Sequence, residues 1–359
     1  MENITQTFLD LVAFDETFPN EDQVLQYIKD RLNKAKTPFK QDGFRNIVAT
    51  IEGRSAEAIA LSGHVDIAAP LQGREVLVEG DIIKTDGKGL LGGDDKTAVV
   101  AMLELADYFY AHSERPVRTV ELIFTVGEEA GCKGAVELDY SLVTAKQVLV
   151  FDWLGAVNHV IAQSPAYFCF DITYKGKDAH PAEWQQGKNA GAALVAVAAG
   201  LQQGEYAPGV IFNIGKVQIG NARNKVPGLA ELRAEARSFD KQKVTDAAKD
   251  IKAAFRDGLK QFGLDGDIHV YCENTAYNID KQSPLLADVT NTLQTLGLQP
   301  VFDTTYGCFD GNIFAAHGMD VIILGAGYYN PHSPDEYVNI PEFRQVFEFL
   351  KQFALPSER

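Results

Sequence analysis

Residues 119–129 read TVELIFTVGEE. The first eight are apolar or β-branched except for one glutamate, and the run breaks at Gly127 into two carboxylates, Glu128 and Glu129. A run with so few polar interruptions fits a strand covered on both faces, as in a parallel or mixed sheet. Working outward, QVLVFD (147–152) has the same texture and ends at Asp152. AEAIALSGHVD (56–66) delivers His64 and Asp66, and MDVIILGAG (319–327) is followed by a short loop carrying His332 in NPHS. LLGGDDK (90–96) places Asp94 and Asp95 just ahead of a stretch with helical apolar spacing, Lys96–His112. Open α/β sheets bind ligands beyond the carboxyl ends of their strands, so all these side chains are expected at one edge of one sheet.

The rest of the chain bounds the answer. Its 359 residues fit about two domains. Hydrophobic residues at 46% and charged residues at 23% are a globular composition. No apolar stretch approaches the roughly 18 residues of a membrane span. The acidic start MENITQTFLDLVAFDE lacks a basic region before an apolar run, so a secretory signal is not expected. The net charge of −16 repels phosphate backbones and argues against nucleic-acid partners. Cys132, Cys169, Cys272 and Cys308 are scattered without a CxxC, which fits a reducing cytoplasm.

The texture changes after about Val160. AYFCFDITYKG (166–176) alternates as a strand, Gly187–Gly200 is alanine-rich and helical, and GVIFNIGKVQIG (209–220) and GLAELRAEARSFD (228–240) read as two strands. A helix over Lys241–Phe262 and the strand DIHVYCEN (267–274) follow. This β-α-β-β-α-β order matches the split βαβ motif of a ferredoxin-like sandwich. The expected architecture is a large α/β domain, residues 1–162 and 276–359, interrupted by a ferredoxin-like α+β insert, 163–275. Further helices are expected over Glu21–Lys36 and Ser283–Leu296.

Gathering five or six carboxylates at one sheet edge is costly without a counter-charge, because buried ionised carboxylates repel and lose hydration. A pair of divalent cations removes that cost. Two imidazoles and three carboxylates suit zinc, with cobalt or manganese as alternatives, and one carboxylate could bridge ions about 3.5–4 Å apart. A lone histidine is more often a surface or core residue than a ligand. The joint order HVD, GGDDK, GEE, FD and NPHS is what carries the signal.

Those motifs resemble the M20 metallopeptidase/deacylase clan and, within it, the peptidase T-like branch. The resemblance covers nearly the whole chain, most strongly at LSGHVDIAAP, DGKGLLGGDDKTAVVAMLE, FTVGEEAGCKGA, KGKDAHPA, FNIGKVQIGNARNKVPGLAELRAEARSFD and GCFDGNIFAAHGMDVIILGAGYYNPHSPDEYV. It implies a zinc-peptidase-like α/β domain with an inserted lid and dimerisation domain, and hence a homodimer. It implies that Asp94 bridges two metal ions, that His64 and Asp152 complete one site, and that Glu129 and His332 complete the other. Glu128 is then the general base, and Asp66 sits behind His64 to orient its ring. The bond between Asp94 and Asp95 is implied to be cis. In the insert, His180 of KGKDAHP is implied to reach the active site, often from the other subunit, unless it is a strand-end surface histidine. Asn224 lies in NARNKVPG, whose counterpart in the family approaches substrate, so it is implied to lie near substrate. Arg237 is either a grip on a substrate carboxylate or part of an inter-strand salt bridge. Lys225 departs from the family pattern, and would favour an anionic group if it faces the site.

The implied activity is dinuclear metal-dependent hydrolysis of an amide bond in a small peptide, as in a tripeptide or dipeptide aminopeptidase. A deacylase of N-acyl amino acids would use the same centre. A non-catalytic binding protein that kept the fold is the reading from a different class, and no ligand or base is missing to support it.

Overall fold

Four parallel strands form the middle of the main sheet. Thr119–Thr125, Ala58–His64, Gln147–Trp153 and Asp320–Gly325 lie side by side in that order. His64 pairs with Thr125, Ser62 with Val150 and Gly325 with Trp153, so their carboxyl ends lie level. Ile47–Ile51 and then Phe39–Gln41 extend the sheet antiparallel beyond Thr119–Thr125, and His159–Ser164 runs antiparallel to Asp320–Gly325. This computed structural model describes residues 2–70 and 73–355. The chain divides into two units: Met1–Ala162, Ile279–Thr304 and Phe309–Arg359 form one, and Gln163–Asn278 with Thr305–Cys308 the other.

In the first unit the apolar strands Thr119–Thr125 and Gln147–Trp153 are buried throughout their interiors, as their sequence requires. The helix Gly93–His112 is buried at every position from Gly93 to Leu103. An apolar face all round marks a helix enclosed by the core. Its regular part begins near Lys96, as expected: Asp94 (φ −77°, ψ 107°) and Asp95 (φ −117°, ψ 32°) have non-helical backbone angles and form a bend just ahead of it. The helix Ile340–Ala354 is instead one-sided, burying Ile340, Phe343, Val346, Phe349, Leu350 and Phe353. Asn339 caps it by accepting from Glu342 N (3.2 Å), and Pro341 occupies its first turn. A second, antiparallel sheet of Tyr328–Tyr329, Tyr337–Asn339, Ile82–Thr85 and Val76–Glu79 had no counterpart in the sequence reading. Its strands are two to four residues long, too short to show a period of two. No helix among the described residues is long and apolar enough to cross a membrane.

The second unit is a five-stranded antiparallel sheet. Its order is Gly204–Ala207, Val210–Ile219, Leu229–Ser238, Ala166–Lys175 and Asp265–Asn274. The first and second long strands, Ala166–Lys175 and Val210–Ile219, are parallel with Leu229–Ser238 between them, which is the split βαβ arrangement. Phe170, Ile172 and Tyr174 alternate into a core completed by Val244, Ala248, Ile251 and Phe255 of the helix Lys241–Phe262. Asp240 caps that helix through Gln242 N (2.9 Å) and Lys243 N (3.2 Å). Gly258 is needed where the helix meets the sheet. A Cβ there would lie 2.4 Å from Val197 Cγ2 and 2.6 Å from the Tyr174 hydroxyl. The α/β domain with a ferredoxin-like insert is therefore the observed fold, with the short strand Gly204–Ala207 added to the motif at one edge.

Candidate metal centre

Three of the parallel strands deliver side chains at their carboxyl ends. His64 is the last residue of Ala58–His64, and Asp152 is next to last in Gln147–Trp153. Glu128 and Glu129 follow Thr119–Thr125 by a short turn. His332 comes from the loop after Asp320–Gly325, and Asp94 from the bend just ahead of the buried helix. His64 Nε2 lies 3.1 Å from Asp94 Oδ1 and 3.7 Å from Asp152 Oδ1. His332 Nε2 lies 3.3 Å from Asp94 Oδ2 and 2.8 Å from Glu129 Oε1. Asp94 thus turns one oxygen to each histidine. His64, Asp94 and Asp152 form one group of mutually close ligand atoms, and Asp94, Glu129 and His332 form another.

This donor set fits a pair of divalent cations. Each group offers one imidazole and two carboxylates, with Asp94 common to both. Glu129 Oε1 and His332 Nε2 meet at 2.8 Å, which brings the two ligand atoms of that group together without a cation.

The neighbours of these groups fix them. Asp66, fully buried, accepts from Glu128 N (3.0 Å) on one oxygen and from Glu129 N (3.1 Å) on the other. His64 Nδ1 meets the Asp66 main-chain oxygen at 3.1 Å and its carboxylate at 3.5 Å. Asp66 therefore holds the Glu128–Glu129 turn as well as standing behind the His64 ring. Glu336, which the sequence reading did not single out, is buried and accepts from Leu91 N (2.8 Å), Gly92 N (2.9 Å) and Asp94 N (3.1 Å). It clamps the loop that carries Asp94. Its only sequence signal is a glutamate four residues after His332. Gly93 lets that loop close, since a Cβ would come within 2.9 Å of Val338 and 3.2 Å of Glu336. The Tyr328 hydroxyl donates to Asp152 Oδ1 (3.3 Å). The Asp94–Asp95 peptide bond is cis.

The electrostatics follow from crowding. Burial, then the Asp152 charge, pushes Glu128 well above the ordinary carboxylate range. Burial likewise raises Glu129, and raises Asp152 to about 7. Asp94 goes the other way: hydrogen bonds from His332 and His64 outweigh its burial and lower it. Burial opposes charge on His64, but Asp152, Asp66 and Asp94 win and its pKa is raised. Asp94, then Glu129, lift His332 to about 10.

A model of peptidase family M20/M25/M40 matches residues 60–355. The chain belongs to that family. An uncharacterized protein, YqjE, of Bacillus subtilis (strain 168) is 26% identical over 363 residues, covering 97% of this chain and 96% of that protein. Peptidase T of Clostridium botulinum (strain Okra / Type B1) is 22% identical over 407 residues, covering 99% and 98%. The crystal structure of a tripeptidase from Staphylococcus aureus superposes with a TM-score of 0.89 at 25% identity, covering 98% of this chain and 97% of that one. The chain is a peptide-bond hydrolase of family M20, similar to its peptidase T branch.

The remaining site candidates of this M20 peptidase lie in the second unit. His180 is exposed, and its Nδ1 accepts from Ala182 N (3.2 Å) at the start of the short helix Pro181–Gln186. Asn224 is exposed on a neighbouring loop, joined to the His180 segment by the bridge from Val226 N to Ala179 O (2.8 Å). Lys225 pairs with Asp178 at 2.5 Å. Arg237 sits at the other end of that unit's sheet. Leu229 and Arg237 are eight residues apart on one strand, roughly 26 Å at ~3.3 Å per residue. The Arg237 guanidinium donates to Glu235 (2.9 Å) and Tyr306 O (2.5 Å) and lies 4.2 Å from the Tyr167 ring centroid. Its carboxylate partner, Glu235, is on its own strand. The structure thus brings His180 and Asn224 onto adjoining loops and keeps Arg237 apart from them.

Proposed function

We propose that this M20 peptidase is a dinuclear metal-dependent aminopeptidase of small peptides, acting on tripeptides or dipeptides. The observation that carries the reading is Asp94, one of whose oxygens faces His64 and the other His332. In this reading Asp94 bridges two ions, His64 and Asp152 complete one site, and Glu129 and His332 complete the other. Zinc fits the nitrogen and oxygen donors, with cobalt and manganese as alternatives. Bound there, the ions would polarise the scissile carbonyl and lower the pKa of a water molecule.

The chain's own residues do the rest. Glu128 takes a proton from the attacking water and passes it to the leaving amine. Its raised pKa, caused first by burial, suits a group that must hold a proton between the two steps. Asp66 fixes the Glu128 backbone, and Glu336 fixes Asp94. We read the second unit as lid and dimerisation domain, with His180 stabilising the oxyanion from the partner protomer and Asn224 near substrate. Val217, Ile219 and Leu229 are exposed, and Gly204–Ala207 pairs with only the first part of Val210–Ile219. That edge supports a homodimer. The four cysteines form no disulfide among the described residues, in keeping with a cytoplasmic location.

The test is reconstitution with zinc, cobalt or manganese and assay on free tripeptides and dipeptides, amino-blocked peptides and N-acetyl amino acids. Two ions per chain and cleavage that requires a free amino terminus are expected. Cleavage of only the blocked or acetylated compounds would move the same residues to a deacylase.

A further inference from the structure

A second convergence of ligand-type atoms adjoins the centre and is not used by it. The Cys132 thiol donates to Glu128 Oε1 at 3.4 Å. Asp310, the first residue of the helix Asp310–Ala316, lies beside them. Glu128, Cys132 and Asp310 each place one ligand atom within 4.8 Å of the other two. Asp310 is held on one side only. Its Oδ2 accepts from the Thr125 hydroxyl (2.6 Å), while Oδ1 takes no hydrogen bond of regular geometry from any described residue, although Asp310 is only 2% exposed. A buried carboxylate oxygen without a donor is costly. Burial pushes this carboxyl up to about 6, with the Thr125 hydroxyl and then the His64 charge acting against it.

The spacing is that of a cation site. Metal–sulfur and metal–oxygen distances of about 2.3 and 2.1 Å in a tetrahedron put sulfur and oxygen roughly 3.6 Å apart. The Cys132–Glu128 separation is already within a few tenths of an ångström of that. The donor chemistry also differs from the neighbouring centre, which offers imidazole and carboxylate only. A thiolate selects soft and borderline ions over manganese or magnesium.

We infer that Cys132, Asp310 and Glu128 form a third, thiolate-containing cation site, and that zinc or cadmium bound there switches the peptidase off by occupying Glu128. The Cys132 proton leaves to solvent as its sulfur binds. The inhibitory consequence rests on Glu128 being the general base; the site itself does not.

The experiment titrates metal-free wild type, Cys132→Ala and Asp310→Asn with zinc, cadmium and manganese. Equilibrium dialysis gives stoichiometry, ultraviolet absorption follows the thiolate-to-cadmium band, and tripeptide hydrolysis gives activity. In wild type a third zinc or cadmium is expected beyond the first two, with the cadmium band rising at that step and activity falling at least tenfold. Cys132→Ala should bind two ions, show no band and stay active in excess zinc. Asp310→Asn should weaken the third step, and excess manganese should inhibit none of the proteins. A cadmium band that survives in Cys132→Ala, or zinc inhibition equal in both proteins, overturns the inference. Should no protein hydrolyse peptide with two ions bound, the proposed function fails, and the third equivalent with its thiolate band still decides the site.

Discussion

The sheet edge of the first unit and the loops of the second hold their polar side chains in opposite ways. At the edge, His64, Asp94 and Asp152 are buried, Glu128 and Glu129 are half-buried and His332 alone is exposed, and most of these groups are gripped twice. Asp94 faces two histidines while Glu336 binds its amide, and Asp66 binds the two amides behind Glu128 and Glu129. In the second unit, His180 and Asn224 are exposed, and Lys225 and Arg237 already have carboxylate partners in their own unit. Rigid support at the edge makes geometry the quantity at stake there. Exposure on the loops means a contribution to chemistry requires something that the unit alone does not supply.

The largest break in this contrast should come from Glu128→Ala. Removing the proton carrier is expected to cost about 10²–10⁴-fold in kcat, with metal content near that of wild type. Loss of metal along with activity would instead mark Glu128 as a ligand. Glu336→Ala comes next. With three amides released, metal affinity measured by chelator competition should fall about 10–100-fold. Unaltered affinity would show that the Asp94 loop holds its shape without the clamp.

pH offers a gentler probe of the same edge. His332 in the metal-free fold keeps its proton up to about pH 10, so a metal must displace it. Affinity should therefore climb about tenfold per pH unit for each proton displaced, from pH 6 toward 10, and then level off. The sign for stability is separate: the proton's contribution to the metal-free fold is complete below the ordinary value of 6.5 and fades as pH rises through about 10. A flat affinity profile would remove His332 from the ligand set. The smallest effect is expected on the other side of the contrast. Lys225→Val breaks a solvent-exposed pair, 36% and 50% exposed at its two ends, so the unfolding midpoint should hardly move. With Lys225 turned to Asp178, selectivity for anionic substrates should not change. A selective loss on such substrates would show that Lys225 leaves Asp178 to meet them.

How far the sequence could be read tracks the range of each interaction. Runs such as TVELIFTV and QVLVF announce buried strands, and the polar residue where each run breaks marks the sheet edge. His64, Glu128, Glu129 and Asp152 all stand at such breaks. The helix Lys241–Phe262 shows its buried stripe and its Asp240 cap in one stretch of chain. Glu336 offers nothing of the kind, because its partners are up to 245 residues away and are backbone amides with no side-chain signature. The double duty of Asp66 was hidden for the same reason. The strands Tyr328–Tyr329 and Tyr337–Asn339 were lost through brevity. Arg237 was left open between substrate and salt bridge because a strand residue's partner depends on which neighbours its face meets. Here they are Glu235, Tyr167 and the Tyr306 carbonyl.

The Glu336 clamp also sets a clock. It joins residues separated by as many as 245 positions, and a ribosome adding roughly 5–20 residues per second needs about 12–50 s to cover that distance. For most of that interval the nascent loop bearing Asp94 is out of the channel with three amides still waiting for their acceptor. The second unit, nearly continuous between Gln163 and Asn278, is translated in full before Glu336 exists. Birth order therefore favours a finished ferredoxin-like module first and a loadable metal site last, and a message cut short before codon 336 would yield a chain carrying Asp94, His64 and Asp152 without the clamp on the Asp94 loop.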